Sequence, residues 1–162
     1  MYIKHFDILR GMDRDFVKEF MEIPKKETYA AGKSLFCEGE KAGYFYILIR
    51  GRVKLSIGDT GHVVHNVDHP GEAFGWSSLL EKRNYSAFSE CRMPTKVLKF
   101  DGEKLQKLYD RYPASGLVFF KRLSEILGNR LIQSYKLMAT GYQAQIPESF
   151  GSRQVHESTP AV

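Results

Sequence analysis

Between Glu27 and Phe100 the chain advances in short extended runs, each closed by a turn, and this rhythm constrains its fold more than any other feature. The runs are Thr28 to Ala30, Leu35 to Cys37, Tyr44 to Ile49, Val53 to Ile57, His62 to Val67, Tyr85 to Ser89 and Lys96 to Phe100. The turns between them carry glycine: Ala31-Gly32-Lys33, Glu38-Gly39-Glu40, Arg50-Gly51-Arg52, Gly58 to Gly61 and Asp68 to Gly71. Seven short strands predict an antiparallel β-sandwich or jelly roll over residues 27–100.

Helical spacing appears only on either side of this region. From Ile3 to Phe20 the chain reads as a short helical lead-in, with Asp13 as N-cap and Phe16, Val17 and Phe20 on one face, and Pro24 ends it. After the strands, Asp101 is placed to cap a helix through Tyr109, and Pro113 occupies the first position of a longer helix running to about Thr140. Residues 101–140 therefore predict two C-terminal helices. The remaining tail, residues 141–162, is polar, contains two prolines and predicts a linker.

Composition narrows the class. With 162 residues, 43% hydrophobic and 13% aromatic, the chain has enough apolar side chain for one core. No apolar run approaches a membrane span, and charges occupy the N-terminus where a signal peptide would be apolar, so the expected location is the cytoplasm. Cys37 and Cys91 form no ligand cluster and predict two free thiols. The net charge of +5 is spread from Lys4 to Arg153 among acidic residues, which argues for a solvated mixed surface and against a nucleic-acid stripe.

The segment Gly71 to Ala87, GEAFGWSSLLEKRNYSA, holds the chemistry. A Pro70-Gly71 turn leads into a short Glu72-Ala73-Phe74 stretch, which breaks at Gly75. Trp76 to Leu80 then has room for one helical turn, and the chain returns as a strand at Tyr85. Backbone N–H groups at such a helix start are suited to an anion.

This strand, short helix, strand arrangement resembles the phosphate-binding cassette of the cyclic nucleotide-binding domain family, where the pattern is Gly-Glu-x-small-Leu followed by Arg-small-Ala. Gly75, Ser77, Ser78, Leu79, Ser86 and Ala87 match it. Trp76 stands where the family's ribose-binding Glu would be, and Tyr85 where its phosphate-binding Arg would be. The opening Tyr29 to Glu40 looks like the family's "aGe.lf.eGe" signature, and Tyr46 to Leu55 looks like its "y.i..G.v.l" hairpin. The resemblance covers roughly the first 140 residues.

It implies a β-roll with an N-terminal helix and a long C-terminal helix, and a small-molecule sensor function. A cyclic nucleotide is the implied effector, with no other cofactor, no catalysis and no metal. Candidate ligand contacts are Gly75, Trp76, Ser77, Ser78, Leu79, Tyr85, Ser86 and Ala87, with Arg83 as a substitute cation. The alternatives stay open: Trp76 plugs the pocket, Tyr85 packs against the cassette, and Arg83 belongs to a solvated turn. A non-nucleotide effector, or a ligand-free dimerising module, is the competing reading.

The long helix carries Leu117, Phe120, Leu127, Leu131 and Met138 as a stripe, widened by Phe119, Leu123, Ile126 and Tyr135. In the catabolite-activator branch of the family the corresponding helix pairs two subunits, so the resemblance implies a homodimer. That branch then continues into a winged helix-turn-helix. Residues 141–162 have too few apolar positions for one, so the sequence reads as a stand-alone sensor or part of a longer regulator.

Enzymatic and metal readings find less support. There is no GxSxG elbow, Walker loop, dinucleotide fingerprint or HExxH helix. Cys91 and His65 have no orienting third group. His62 and His65 fall on opposite faces of a strand, and His65 and His69 share a face only if that strand runs straight through Asp68, so exposed imidazoles are expected.

Overall fold

Asp13 opens the first helix of the computed structural model, which describes residues 7–81 and 83–141. Its carboxylate accepts from the N–H groups of Asp15 at 2.9 Å and Phe16 at 3.1 Å, at the start of α1 (Arg14–Glu22). Phe16 and Phe20, one turn apart, are both fully buried. Before α1, the lead-in expected from Ile3 is a 3-10 turn at Asp7–Leu9; residues 3–6 lie outside the described residues.

Among the described residues seven strands follow: β1 (Lys25–Tyr29), β2 (Tyr44–Arg50), β3 (Val53–Ile57), β4 (His62–Val67), β5 (Ala73–Phe74), β6 (Phe88–Cys91) and β7 (Thr95–Asp101). They pair antiparallel in two sheets, ordered β1-β7-β2-β5 and β4-β3-β6. Phe36, Tyr46, Leu48, Val53, Phe74 and Tyr85 belong to one buried cluster. With α1 before them and two helices after them, the sheets make the expected β-roll.

Three strand boundaries are corrected. β1 begins at Lys25 rather than Thr28 because it is an edge strand of mostly exposed residues, and its charged sequence KKETY carries no apolar alternation to read. No strand is assigned at Leu35 to Cys37, although the chain there lies beside residues 83–91. Gly32 N–H donates to Cys91 C=O at 2.7 Å and Gly39 N–H to Tyr85 C=O at 2.9 Å. Between them the Ser89 hydroxyl accepts from Leu35 N–H at 3.0 Å and Phe36 N–H at 2.8 Å, and a side chain in place of a backbone acceptor interrupts the ladder. The strand expected at Tyr85 starts at Phe88, because Tyr85 is already paired with the Gly39-Glu40 turn.

Asp101 caps α2 (Gly102–Arg111), accepting from Glu103 N–H at 3.0 Å and Lys104 N–H at 3.1 Å. Pro113 opens α3 (Pro113–Gly141). Among the described residues the chain divides within α3 into two compact units, one up to Ser124 and one from Glu125. In the first unit Phe119 is fully buried, with ring contacts to Phe20, Phe45 and Tyr109. In the second, every residue from Leu131 to Thr140 is exposed. The polar tail is expected over residues 141–162; Gly141 is the last residue of α3, and residues 142–162 lie outside the described residues. No described helix is long and apolar enough to cross a membrane.

Candidate functional site

The sequence places a glycine, a small-residue run and a Tyr-Ser-Ala triplet where β5 hands over to β6, and local geometry follows from them. Gly75 sits at φ +73°, ψ 26°, in the left-handed region that costs other residues energy. A Cβ there would lie 3.0 Å from the Tyr44 carbonyl oxygen and from the Tyr46 ring, a tight approach that favours glycine as well. The turn starts a 3-10 helix at Trp76–Leu79. Ser78 N–H donates to Gly75 C=O at 3.2 Å and the Ser78 hydroxyl to the same oxygen at 2.8 Å, which closes the turn.

Trp76 and Ser77 are the first two residues of this helix, and no side chain caps its start. Ser77 is buried and Leu79 anchors the helix in the core, whereas Trp76 and Ser78 are half-buried. On the returning chain Ser86 is exposed and Ala87 half-buried. Among the described residues the hydroxyls of Ser77 and Ser86 have no hydrogen-bond partner. The elements for holding an anion by dipoles and hydroxyls are thus present on both sides of the loop.

Tyr85 is placed differently from a ligand contact. Its hydroxyl accepts from Tyr44 N–H at 2.9 Å and donates to Tyr44 C=O at 2.7 Å, and its ring stacks on Phe36 with centroids 3.9 Å apart and planes at 14°. Burial pushes the phenol's pKa up, and the hydrogen bonds from the backbone partly oppose that. Arg83 is exposed; its carbonyl accepts from Ala42 N–H at 3.1 Å, and its side chain bonds to none of the described residues. Lys82 lies outside the described residues.

A groove of about 470 Å3 runs behind the 3-10 helix, lined by Tyr44, Ser78, Leu80, Glu81 and Gln106 among others. Of the candidate ligand contacts, Ser78 and Leu79 line it, whereas Gly75, Trp76, Ser77, Arg83, Tyr85, Ser86 and Ala87 do not.

Of the helix stripe, Leu117, Leu131 and Met138 are exposed, while Phe120 and Leu127 are half-buried. Phe119 and Leu123, read as widening that stripe, are buried.

The sequence reading put His65 and His69 on one face only if the strand ran straight through Asp68, and it does not. The chain turns back after Asp68, and Glu72 meets both: His65 Nε2–H donates to Glu72 Oε1 at 2.6 Å, and His69 Nδ1 lies 3.9 Å from Glu72 Oε2. Strand parity could not show this, because the meeting happens across a turn.

Comparisons with known proteins agree with this architecture. The family model described as "Cyclic nucleotide-binding domain" matches residues 26–112, more than half of the chain. A cyclic nucleotide-binding domain from Methylobacillus flagellatus superposes with a TM-score of 0.72 at 20% identity, over 83% of this chain and 77% of that one. A putative cyclic nucleotide-binding protein from Geobacter metallireducens gives 0.70 at 24% identity, over 78% and 92%. The catabolite activator protein of Thermus thermophilus gives 0.65 at 23% identity; the match spans 82% of this chain and 62% of that one. At these identities the likeness is one of fold. No curated protein sequence matches the chain.

Proposed function

The chain belongs to the cyclic nucleotide-binding domain family, and on that premise we propose that it is a regulatory sensor domain, without catalysis, in which a small-molecule effector at Gly75 to Ala87 governs the pairing of two copies through α3. The observation that carries this reading is the cassette backbone. A left-handed Gly75 starts a 3-10 helix at Trp76–Leu79, and the hydroxyls of Ser77 in that helix and of Ser86 on the returning chain have no partner among the described residues. The exposed Leu117, Leu131 and Met138 support the pairing. Two copies burying these residues against each other would remove apolar surface from water.

The effector class follows from what surrounds that backbone. Trp76 offers no carboxylate for a ribose hydroxyl, and Tyr85 is committed to Tyr44 and offers no cation. Removing one partner of a buried charged pair costs about 2–5 kcal/mol. A cyclic nucleotide is therefore expected to bind weakly, and an effector other than a nucleotide, one that needs neither a ribose-binding carboxylate nor a phosphate-binding cation, such as an aromatic compound, to be preferred.

A second reading is favoured by the Tyr85 geometry itself. Phe36, Tyr46, Phe74 and Tyr85 fill the interior with stacked rings, which suits a ligand-free dimerising module.

Titration calorimetry with cyclic AMP and cyclic GMP up to about 1 mM, on the parent and on Trp76→Glu/Tyr85→Arg, separates the readings. Saturable heat only in the double variant means that the cradle is intact and the parent takes another effector. Tight saturable heat in the parent overturns the argument from the missing charges. No heat in either, with the dimer intact in sedimentation, supports the ligand-free module.

A further inference from the structure

We propose that the turn between β4 and β5 is a binding site for a divalent transition-metal ion of the zinc class, held by Asp68, His69 and Glu72, with His65 as the residue that positions Glu72. One imidazole nitrogen and two carboxylate oxygens, one from each of the three proposed ligands, lie within 4.8 Å of one another. A zinc ion bound at 2.0–2.1 Å needs its donors about 3.3 Å apart. The distances here bracket that spacing: His69 Nδ1 is 2.7 Å from Asp68 Oδ1 and 3.9 Å from Glu72 Oε2. Side-chain movements of under about 1 Å would bring all three donors onto one ion.

The chemistry of the set selects the class of ion. An imidazole with two carboxylates suits zinc and its neighbours, whereas calcium and magnesium favour all-oxygen shells. His69 is 87% exposed, so its ring is free to turn and solvent can complete the coordination sphere. Glu72 is held more firmly. Its Oε2 accepts from Asp68 N–H at 3.1 Å and His69 N–H at 3.3 Å, and its Oε1 accepts from His65 Nε2–H at 2.6 Å. Ligating carboxylates are commonly held by hydrogen bonds from a second shell, and His65 supplies one to Glu72. Among the described residues Arg52 Nε lies 3.9 Å from Asp68 Oδ2, a long and mostly exposed contact that an ion would readily displace.

The site would act on the neighbouring loop. Leu48 of β2 clasps the same turn, its N–H donating to Glu72 C=O at 2.9 Å and its carbonyl accepting from Gly71 N–H at 2.8 Å. Gly75 lies three residues further on, so an ion at Glu72 would stiffen the approach to the cassette. The inference stands apart from the sensor reading, since it concerns other side chains and a different ligand.

The test is calorimetric titration of Zn2+ into the full chain near neutral pH, in a background carrying His5→Ala and His156→Ala. The expected result is one saturable equivalent that weakens roughly tenfold or more in His69→Ala and in Asp68→Asn, and is unchanged in His62→Ala. Because His69 is exposed, its removal leaves the fold intact, which near-ultraviolet circular dichroism checks. Co2+ in place of Zn2+ should give visible absorption bands that His69→Ala abolishes. Absence of saturable Zn2+ binding, or binding that both His69→Ala and Asp68→Asn retain, overturns the proposal and leaves the four residues as a hydrogen-bonded turn.

Discussion

The phenol of Tyr85 makes two hydrogen bonds to the backbone of one residue, Tyr44, accepting from its N–H and donating to its carbonyl. Tyr44 is the first residue of β2, so this side chain stands in for a missing strand neighbour and fastens the loop after the cassette to the four-stranded sheet. Tyr85→Phe keeps the stack on Phe36 and deprives both backbone groups of their partner. It should lower stability by about 1–3 kcal/mol, read as a shifted urea midpoint with an unchanged slope.

Ser89 joins the irregular segment at Leu35 and Phe36 to β6 with one hydroxyl, which accepts two N–H bonds and donates to Phe36 C=O at 3.0 Å. It is fully buried, so water cannot replace it. Ser89→Ala should therefore cost about 2–4 kcal/mol, more than an ordinary surface Ser→Ala, and hydrogen exchange at the Leu35 and Phe36 amides should accelerate.

Burial raises the pKa of the Tyr109 phenol well above its ordinary value, and burial first, then the neighbouring Tyr85 and Tyr29, does the same to Tyr46. Above a pH of about 10 these phenols ionise in the unfolded chain while remaining protonated in the folded one, so the unfolded state binds fewer protons. Their contribution is fully present below that pH and declines above it, by up to about 1.4 kcal/mol per pH unit for each phenol. The Tyr109 hydroxyl also has no hydrogen-bond partner among the described residues. Tyr109→Phe should thus raise stability by about 1 kcal/mol at neutral pH and flatten the alkaline loss, measured by urea unfolding between about pH 8 and 11.

Leu131 is half exposed in the single chain, and nothing in the fold accounts for an apolar side chain there. If α3 pairs two copies, Leu131→Lys should yield a monomer by sedimentation at concentrations where the parent is a dimer. Its thermal unfolding as a monomer should stay within about 0.5 kcal/mol of the expectation for a surface change. A parent that sediments as a monomer, or a variant that remains a dimer, removes the pairing from the proposed function.

Most of the architecture was legible because it depends on local rules. Glycine turns at fixed offsets, Asp13 and Asp101 as caps, and Pro113 at a helix start each act on neighbours within a few residues, and all three end up where those rules put them. The strand edges at Lys25 and Phe88 and the lost ladder at Leu35 were not legible. They are set by what lies beside them in space: an exposed edge for Lys25, the Gly39-Glu40 turn for Tyr85, and the Ser89 hydroxyl for Leu35 and Phe36.

The cassette divides in the same way. The sequence by itself determined its backbone, because a left-handed glycine followed by small residues permits few other paths, and it determined that no Glu or Arg occupies Trp76 or Tyr85. Only the tertiary structure decided where those side chains go. Tyr85 turns inward because Phe36 and the Tyr44 backbone, 49 and 41 residues earlier in the chain, offer it a ring and two hydrogen bonds. Likewise His65, Asp68, His69 and Glu72 meet because a turn folds a strand end back on itself, and side-chain periodicity carries no information across a turn.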